Sequence, residues 1–146
     1  MRKSISEILK LVSEQSTKQA KIDILRENYS PVLAQILQYA LDPRIKWALP
    51  EGAPPFKENV YPGQETVLFS EARRLYLFLE GGNPNLTNFK REMLFVQFLE
   101  MLHPSDAKVI IAAKDKKIPY KGITTKLVNE AFPGLIMEEN NGENQT

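Results

Sequence analysis

Between positions 114 and 126 the chain reads Lys114-Asp115-Lys116-Lys117-Ile118-Pro119-Tyr120-Lys121-Gly122-Ile123-Thr124-Thr125-Lys126, five lysines against one aspartate. Lysines held on a short loop neutralise phosphates, and Gly122, Thr124 and Thr125, at the start of a following helix, offer backbone amides and hydroxyls to a phosphate oxygen. Lys114, Lys116, Lys117, Lys121 and Lys126 are therefore candidate contacts to a nucleic-acid backbone, in an arrangement like a helix-turn-helix clamp. Tyr120 is a candidate for stacking on a base. The same composition equally describes a solvated lysine loop that keeps the surface soluble, with Tyr120 folded onto the core.

No other cluster offers chemistry. Nucleophilic catalysis requires an activated Ser, Cys or Lys beside a base. The one histidine, His103, stands at a helix end next to Pro104, where an interaction with the helix dipole accounts for it. There is no cysteine, so disulfides and thiolate metal sites are excluded. Glu138, Glu139 and Glu143 lack the spacing of a calcium loop. Glycine-rich turns of the kind that cradle nucleotide phosphates do not occur. The expectation is a protein without enzymatic activity, bound metal or cofactor.

Helices must carry the lysine stretch. Ile5, Ile8, Leu9 and Val12 recur at helical spacing behind Ser4 and Glu7, a capping-box pair. Ser16 and Gln19 repeat that spacing ahead of Ala20, Ile24 and Leu25, and Ser30-Pro31 sets a cap residue before a proline suited to the first helical position. These two helices should end near Asn28 and Leu41. From Asp42 to Gly63 five prolines deny backbone donors and predict an irregular crossing loop, anchored by Trp47 and Phe56. Leu68, Ala72, Leu75, Tyr76 and Leu79 predict an amphipathic helix stopped by Gly81-Gly82.

Asn83-Pro84 should open a further helix with Phe89, Met93, Val96 and Leu99 buried. With Leu94, Phe95, Phe98 and Leu102 beside them, that helix is apolar around most of its circumference and is expected at the centre of the core, ending at His103-Pro104. Ser105 or Asp106 can cap another helix through Val109, Ile110 and Ala113. The lysine stretch from 114 to 122 is then a basic loop broken by Pro119, and a last helix covers roughly Thr124 to Phe132 before Pro133-Gly134.

The fold class that follows is all-α: a multi-helix domain over residues 1–137, with an acidic, disordered tail over 138–146 that has no large apolar side chain to offset the entropy of ordering. A chain of 146 residues is long enough to bury a core unaided. Its net charge of +1 conceals an uneven distribution, because the acidic tail follows directly on the lysine-rich region. The start of the chain is amphipathic rather than leader-like, and no apolar run is long enough to span a bilayer. Together with the lack of cysteine, this points to the cytoplasm and away from membranes.

Two stretches carry a resemblance to a known family. Ile8-Leu9-Lys10, Ser16-Thr17-Lys18-Gln19-Ala20-Lys21, Ile24-Leu25, Leu33 to Leu41 and Ile45-Lys46-Trp47 resemble the opening of the DNA-binding domain of ATP-dependent DNA ligases of T-even-type phages. Gly122 to Asn129, followed by Phe132-Pro133-Gly134-Leu135-Ile136, is similar to the close of that domain, where a helix ends in an aromatic-Pro-Gly-Leu-Ile sequence. The chain also resembles small uncharacterised proteins of tailed phages that share a similar basic loop. Its middle, including Arg73 to Phe78 and Gly81-Gly82-Asn83, matches no ligase motif, and the loop around Ile118-Pro119-Tyr120 is longer than the ligase pattern.

The ligase Lys-x-Asp-Gly motif, whose lysine attacks ATP, is absent, so nucleotidyl transfer is not inherited. The resemblance implies a stand-alone, phage-encoded domain in the host cytoplasm that grips double-stranded DNA by its backbone across the minor groove, with little sequence preference, in replication, repair or recombination. The alternative is a protein-interaction module that binds a host or phage replication or transcription protein, such as a polymerase or clamp, or a defence factor. Near-neutral charge favours the module, because strong non-specific DNA binders are usually more basic. The local lysines favour DNA.

Overall fold

Ser4 opens the first helix as its sequence predicts. In the computed structural model, which describes residues 3–138, its hydroxyl accepts from the Glu7 amide at 3.1 Å and its amide donates to the Glu7 carboxylate at 2.8 Å. Helix α1 (Ile5–Ser13) follows. Helix α2 (Lys18–Glu27) is capped by Thr17, whose hydroxyl accepts from the Ala20 amide, and not by the expected Ser16. The Gln19 amide bonds Asp23 one turn on, so no capping box forms. Helix α3 (Pro31–Leu41) has Ser30 at its cap and Pro31 at its first position.

The proline-rich crossing loop is pinned where expected. Trp47 is buried and its indole N–H donates to the Tyr39 carbonyl, while Phe56 packs half-buried on the core. Gln64 adds an anchor that spacing does not reveal: its buried amide group donates to the carbonyls of Asn59, Met101 and Leu102 and so satisfies backbone acceptors at a helix end.

The single helix expected through Leu79 is instead a short α4 (Val67–Glu71) tightened into a 3-10 run, Ala72–Phe78. Its buried residues are Ala72, Leu75 and Phe78, a spacing of three that suits a 3-10 stripe. Leu79 then leaves the run to form an isolated antiparallel bridge with Trp47. Gly81 has φ +80°, the left-handed turn expected of the glycine pair, but it follows the extended Leu79 and does not cap the helical run, which ends at Phe78.

Helix α5 (Asn88–Met101) starts at Thr87 and not at Asn83-Pro84, which sits in the turn before it. The expected buried stripe is corrected as well. Phe89 and Met93 are 74% and 42% exposed, Val96 is half-buried, and of the four only Leu99 is fully buried. The packed face is Arg91, Phe95, Phe98 and Leu99. A helix apolar on most sides cannot choose its inner face from periodicity, so its neighbours choose. Phe78 meets Phe95 and Phe98 edge to face at 5.1 and 5.7 Å. The buried Arg91 guanidinium fixes the rotation by donating to the Leu77 and Leu86 carbonyls and the Asn88 side chain.

Helix α6 (Pro104–Lys114), rather than α5, is the central strut, packing on α1, α3 and α5 with Ala107, Val109, Ile110 and Ala113 buried. Its cap is His103, not Ser105 or Asp106, because the His103 Nδ1 accepts from the Ser105 amide at 3.2 Å. His103 therefore acts at a helix start by a hydrogen bond, which corrects its reading as a dipole contact. Asp106 is fully buried behind it and accepts from the Ser6 amide, tying the starts of α1 and α6 together. Helix α7 (Thr125–Ala131) packs on α2 and closes the fold, and one cluster of buried side chains runs from Ile5 to Ile136.

The described residues thus form an all-α domain of seven α-helices without strands, and no helix among them is long and apolar enough to cross a membrane. Beyond Glu138, the acidic tail lies outside the described residues.

Candidate nucleic-acid interface

The lysine stretch is two structures, not one loop. Lys114 belongs to the last turn of α6 and is buried. Its ammonium donates to the Pro50 and Gly52 carbonyls, each at 2.8 Å, and pairs with Asp115 at 2.6 Å. The expected solvated position is overturned, because α6 aims this side chain inward under the proline-rich loop. Lys116 is occupied too. Its ammonium donates to the carbonyls of Tyr39, Asp42 and Ile45 at 2.7–2.8 Å, which closes the end of α3.

The backbone explains why Lys116 turns back. It has φ +64°, the one described non-glycine residue in the left-handed region. Its amide donates to Ala113 and that of Lys117 to Ala112, the paired bonds of a Schellman helix end, where glycine is usual. A lysine there carries backbone strain that its three carbonyl bonds offset. Burial lowers the Lys116 pKa against the raising pull of Asp42, so desolvation is the stronger influence.

Asp42 is the hub of this region. Its carboxylate accepts from the Arg44 guanidinium at 2.7 and 3.0 Å and from the amides of Arg44 and Met137. The Arg44 hydrogen bond, which outweighs desolvation, lowers its pKa to about 2.

Residues 117–126 make a different surface. Lys117, Lys121, Gly122, Thr124 and Lys126 are exposed, Thr125 is half-buried, and none of these three lysines has an ion-pair partner among the described residues. Tyr120 is half-buried against the core and its phenol pKa is raised, by burial first and then by the Asp106 charge. This matches a side chain folded onto the core better than an open stacking platform. Thr124 caps α7, its hydroxyl accepting from the Leu127 amide at 3.1 Å. The hydroxyl hydrogen remains available to an acceptor.

Helix α2 supplies cations that the loop reading missed. Gly122 has φ +76°, and a Cβ built there would lie 2.5 Å from the Lys21 Nζ. Lys18, Lys21, Gly122, Thr124, Lys126 and Glu130 rim a shallow depression of about 240 Å³. Arg26 holds the two helices together by donating to the Glu130 and Ala131 carbonyls at the end of α7. Lys18 is paired with Glu130 at 3.0 Å, but that pair is exposed and weak. Neither α2 nor α7 has an acidic residue in its first turn. The sequence did hold a signal, since Lys18 and Lys21 fall in the first resembling stretch and Gly122 to Lys126 in the second.

The depression therefore gathers Lys18, Lys21 and Lys126 with the Glu130 carboxylate among them, and Lys121 adjoins it only as the chain neighbour of Gly122. Among the described residues no group of three or more His, Asp or Glu side chains is placed to hold a metal ion. Comparison with curated proteins finds no match. The model of a family of unknown function, DUF6433, matches residues 8–120, from α1 to the Tyr120 turn. With most of its length matched, the chain belongs to that family.

Proposed function

We propose that the chain is a non-catalytic DNA-binding domain that holds the duplex backbone, with little sequence preference, on the face where α2 meets residues 121–126. The observation that carries this reading is the convergence of Lys21 from α2 and Lys126 from α7 on the Gly122 depression, with Lys121 exposed next to Gly122 in the chain. Unpaired cations beside helix starts without acidic residues suit phosphate oxygens, and such contacts position a protein on DNA without reading bases. The resemblance to phage ligase DNA-binding domains supplies the setting: a phage protein acting in the host cytoplasm in replication, repair or recombination. Lys114 and Lys116 are left out of the interface, because their ammonium groups hold the fold.

The test is a titration of duplex and nicked DNA against salt, read by fluorescence anisotropy. Affinity should fall with salt at a log-log slope of about −0.9 for each phosphate neutralised. A Lys21→Glu/Lys121→Glu/Lys126→Glu variant should bind every sequence more weakly and with a flatter slope, while circular dichroism shows intact helices. Wild-type protein that binds neither DNA at low salt would remove this reading. The protein-interaction reading is favoured by a separate observation, an apolar groove on the outer face of α5.

A further inference from the structure

Helix α5 turns its Phe89 and Met93 outward, toward the proline-rich segment that follows Leu49. Between them lies a groove of about 550 Å³, walled on the far side by Pro50, Ala53, Pro54 and Pro55 and floored partly by Val96. We propose that this groove docks a short partner segment carrying large apolar side chains flanked by lysine or arginine. The inference does not depend on DNA binding, and the groove shares no residue with the face beside Gly122.

A scattered exposed apolar residue is ordinary, but an aromatic and a methionine lining one groove have the composition of an interface core. Methionine also adapts to partners of different shape. The far wall is built in advance of any partner. Pro54 and Pro55 fix their own backbone angles, and Lys114 reaches from α6 to hold the Pro50 and Gly52 carbonyls, while Asp115 accepts from the Gly52 amide at 3.2 Å. A wall already ordered costs little further entropy on binding.

Charge selects the partner. Three ionisable groups line the groove: Glu51, Glu92 and Lys114. The Lys114 side chain is 1% exposed and its ammonium is paired with Asp115, so its charge is spent beneath the wall. Glu51 and Glu92 are exposed on opposite walls, which leaves the rim negative. Cationic flanks are attracted to such a rim and acidic ones repelled. With few polar groups converging inside, the groove suits apolar side chains of a peptide better than a polar small molecule.

Three labelled synthetic peptides test this, each with a Trp-x-x-Leu centre and with flanks of lysine, glutamate or serine, titrated into the full chain by fluorescence anisotropy. The lysine-flanked peptide should bind best. Phe89→Ser should weaken it by about tenfold or more, as loss of a central aromatic anchor does. Glu51→Lys/Glu92→Lys should shift the preference to the glutamate-flanked peptide. All three positions are exposed, so circular dichroism should be unchanged in these variants, and DNA affinity measured on the same proteins reads the other face separately. No binding by any peptide overturns the proposal, as does binding that Phe89→Ser leaves intact or a preference that charge reversal does not move. Self-association in sedimentation, abolished by Phe89→Ser and unaffected by the peptides, would make a second copy of the chain the occupant and overturn it equally.

Discussion

Two left-handed turns, six residues apart, show how one lysine-rich stretch divides its work. At the first, Lys116 takes φ +64° and spends its ammonium on three carbonyls of the α3 end. At the second, Gly122 takes φ +76° without strain, and the lysines on either side, Lys121 and Lys126, stay exposed. The first turn is held by its own lysine, and the second leaves its lysines in solvent. Counting lysines does not separate them, because the useful quantity is the number of ammonium groups left without an internal acceptor.

The sharpest break of this comparison is charge reversal at each turn. Lys116→Glu puts a carboxylate beside three carbonyls that lose their charged donor, and should cost about 1 to 2 kcal/mol, the loss being moderated because the ammonium site is open to solvent. Lys121→Glu should stay within about 0.5 kcal/mol, as surface substitutions do. Lys116→Gly should fall between them, because it relieves the left-handed strain but loses the same bonds. Thermal melts of the three variants decide it. Equal melting temperatures for Lys116→Glu and Lys121→Glu would erase the distinction between the turns.

The acid limb of stability sharpens the account of the first turn. Asp42 has its pKa lowered from 3.8 to about 2, so the folded protein holds its carboxylate charged more firmly than the unfolded chain does. The stability this supplies is complete above the unfolded value near 4 and is lost as pH falls through about 2. It should amount to about 1 to 2 kcal/mol, discounted because the Arg44 partner is exposed to solvent screening. Denaturant melts of wild type and Asp42→Asn should therefore differ most at neutral pH and converge between pH 4 and 2. A gap that stays constant over that range would detach Asp42 from the stability of this turn.

A smaller effect than that of Asp42 is expected at the glycine of the second turn. Gly122→Ala adds a Cβ at positive φ, which costs about 1 kcal/mol, and the new methyl group must push aside the Lys21 ammonium. The displaced end is flexible, so the steric part is minor. A modest drop in melting temperature with weakened DNA binding is expected, whereas a stabilised variant would mean that this backbone is not left-handed in solution.

What the sequence determined by itself is local. The Ser4/Glu7 box and the Ser30-Pro31 start are bonds between residues three apart, so their pattern is written in adjacent letters. Even there the one-residue shift from Ser16 to Thr17 was decided by backbone angles, because both residues are good caps. Tertiary structure decided the rest. Phe89 faces solvent and Phe95 the core, because the ring of Phe78 and the Arg91 bonds rotate a helix whose apolar residues would fit several orientations. Lys116 closes the fold, because carbonyls 71 to 77 residues away meet its ammonium. Lys21 joins Lys126 for the same kind of reason: α2 packs on α7, and a hydrogen-bond acceptor or a neighbouring charge acts through space, whatever its distance along the chain.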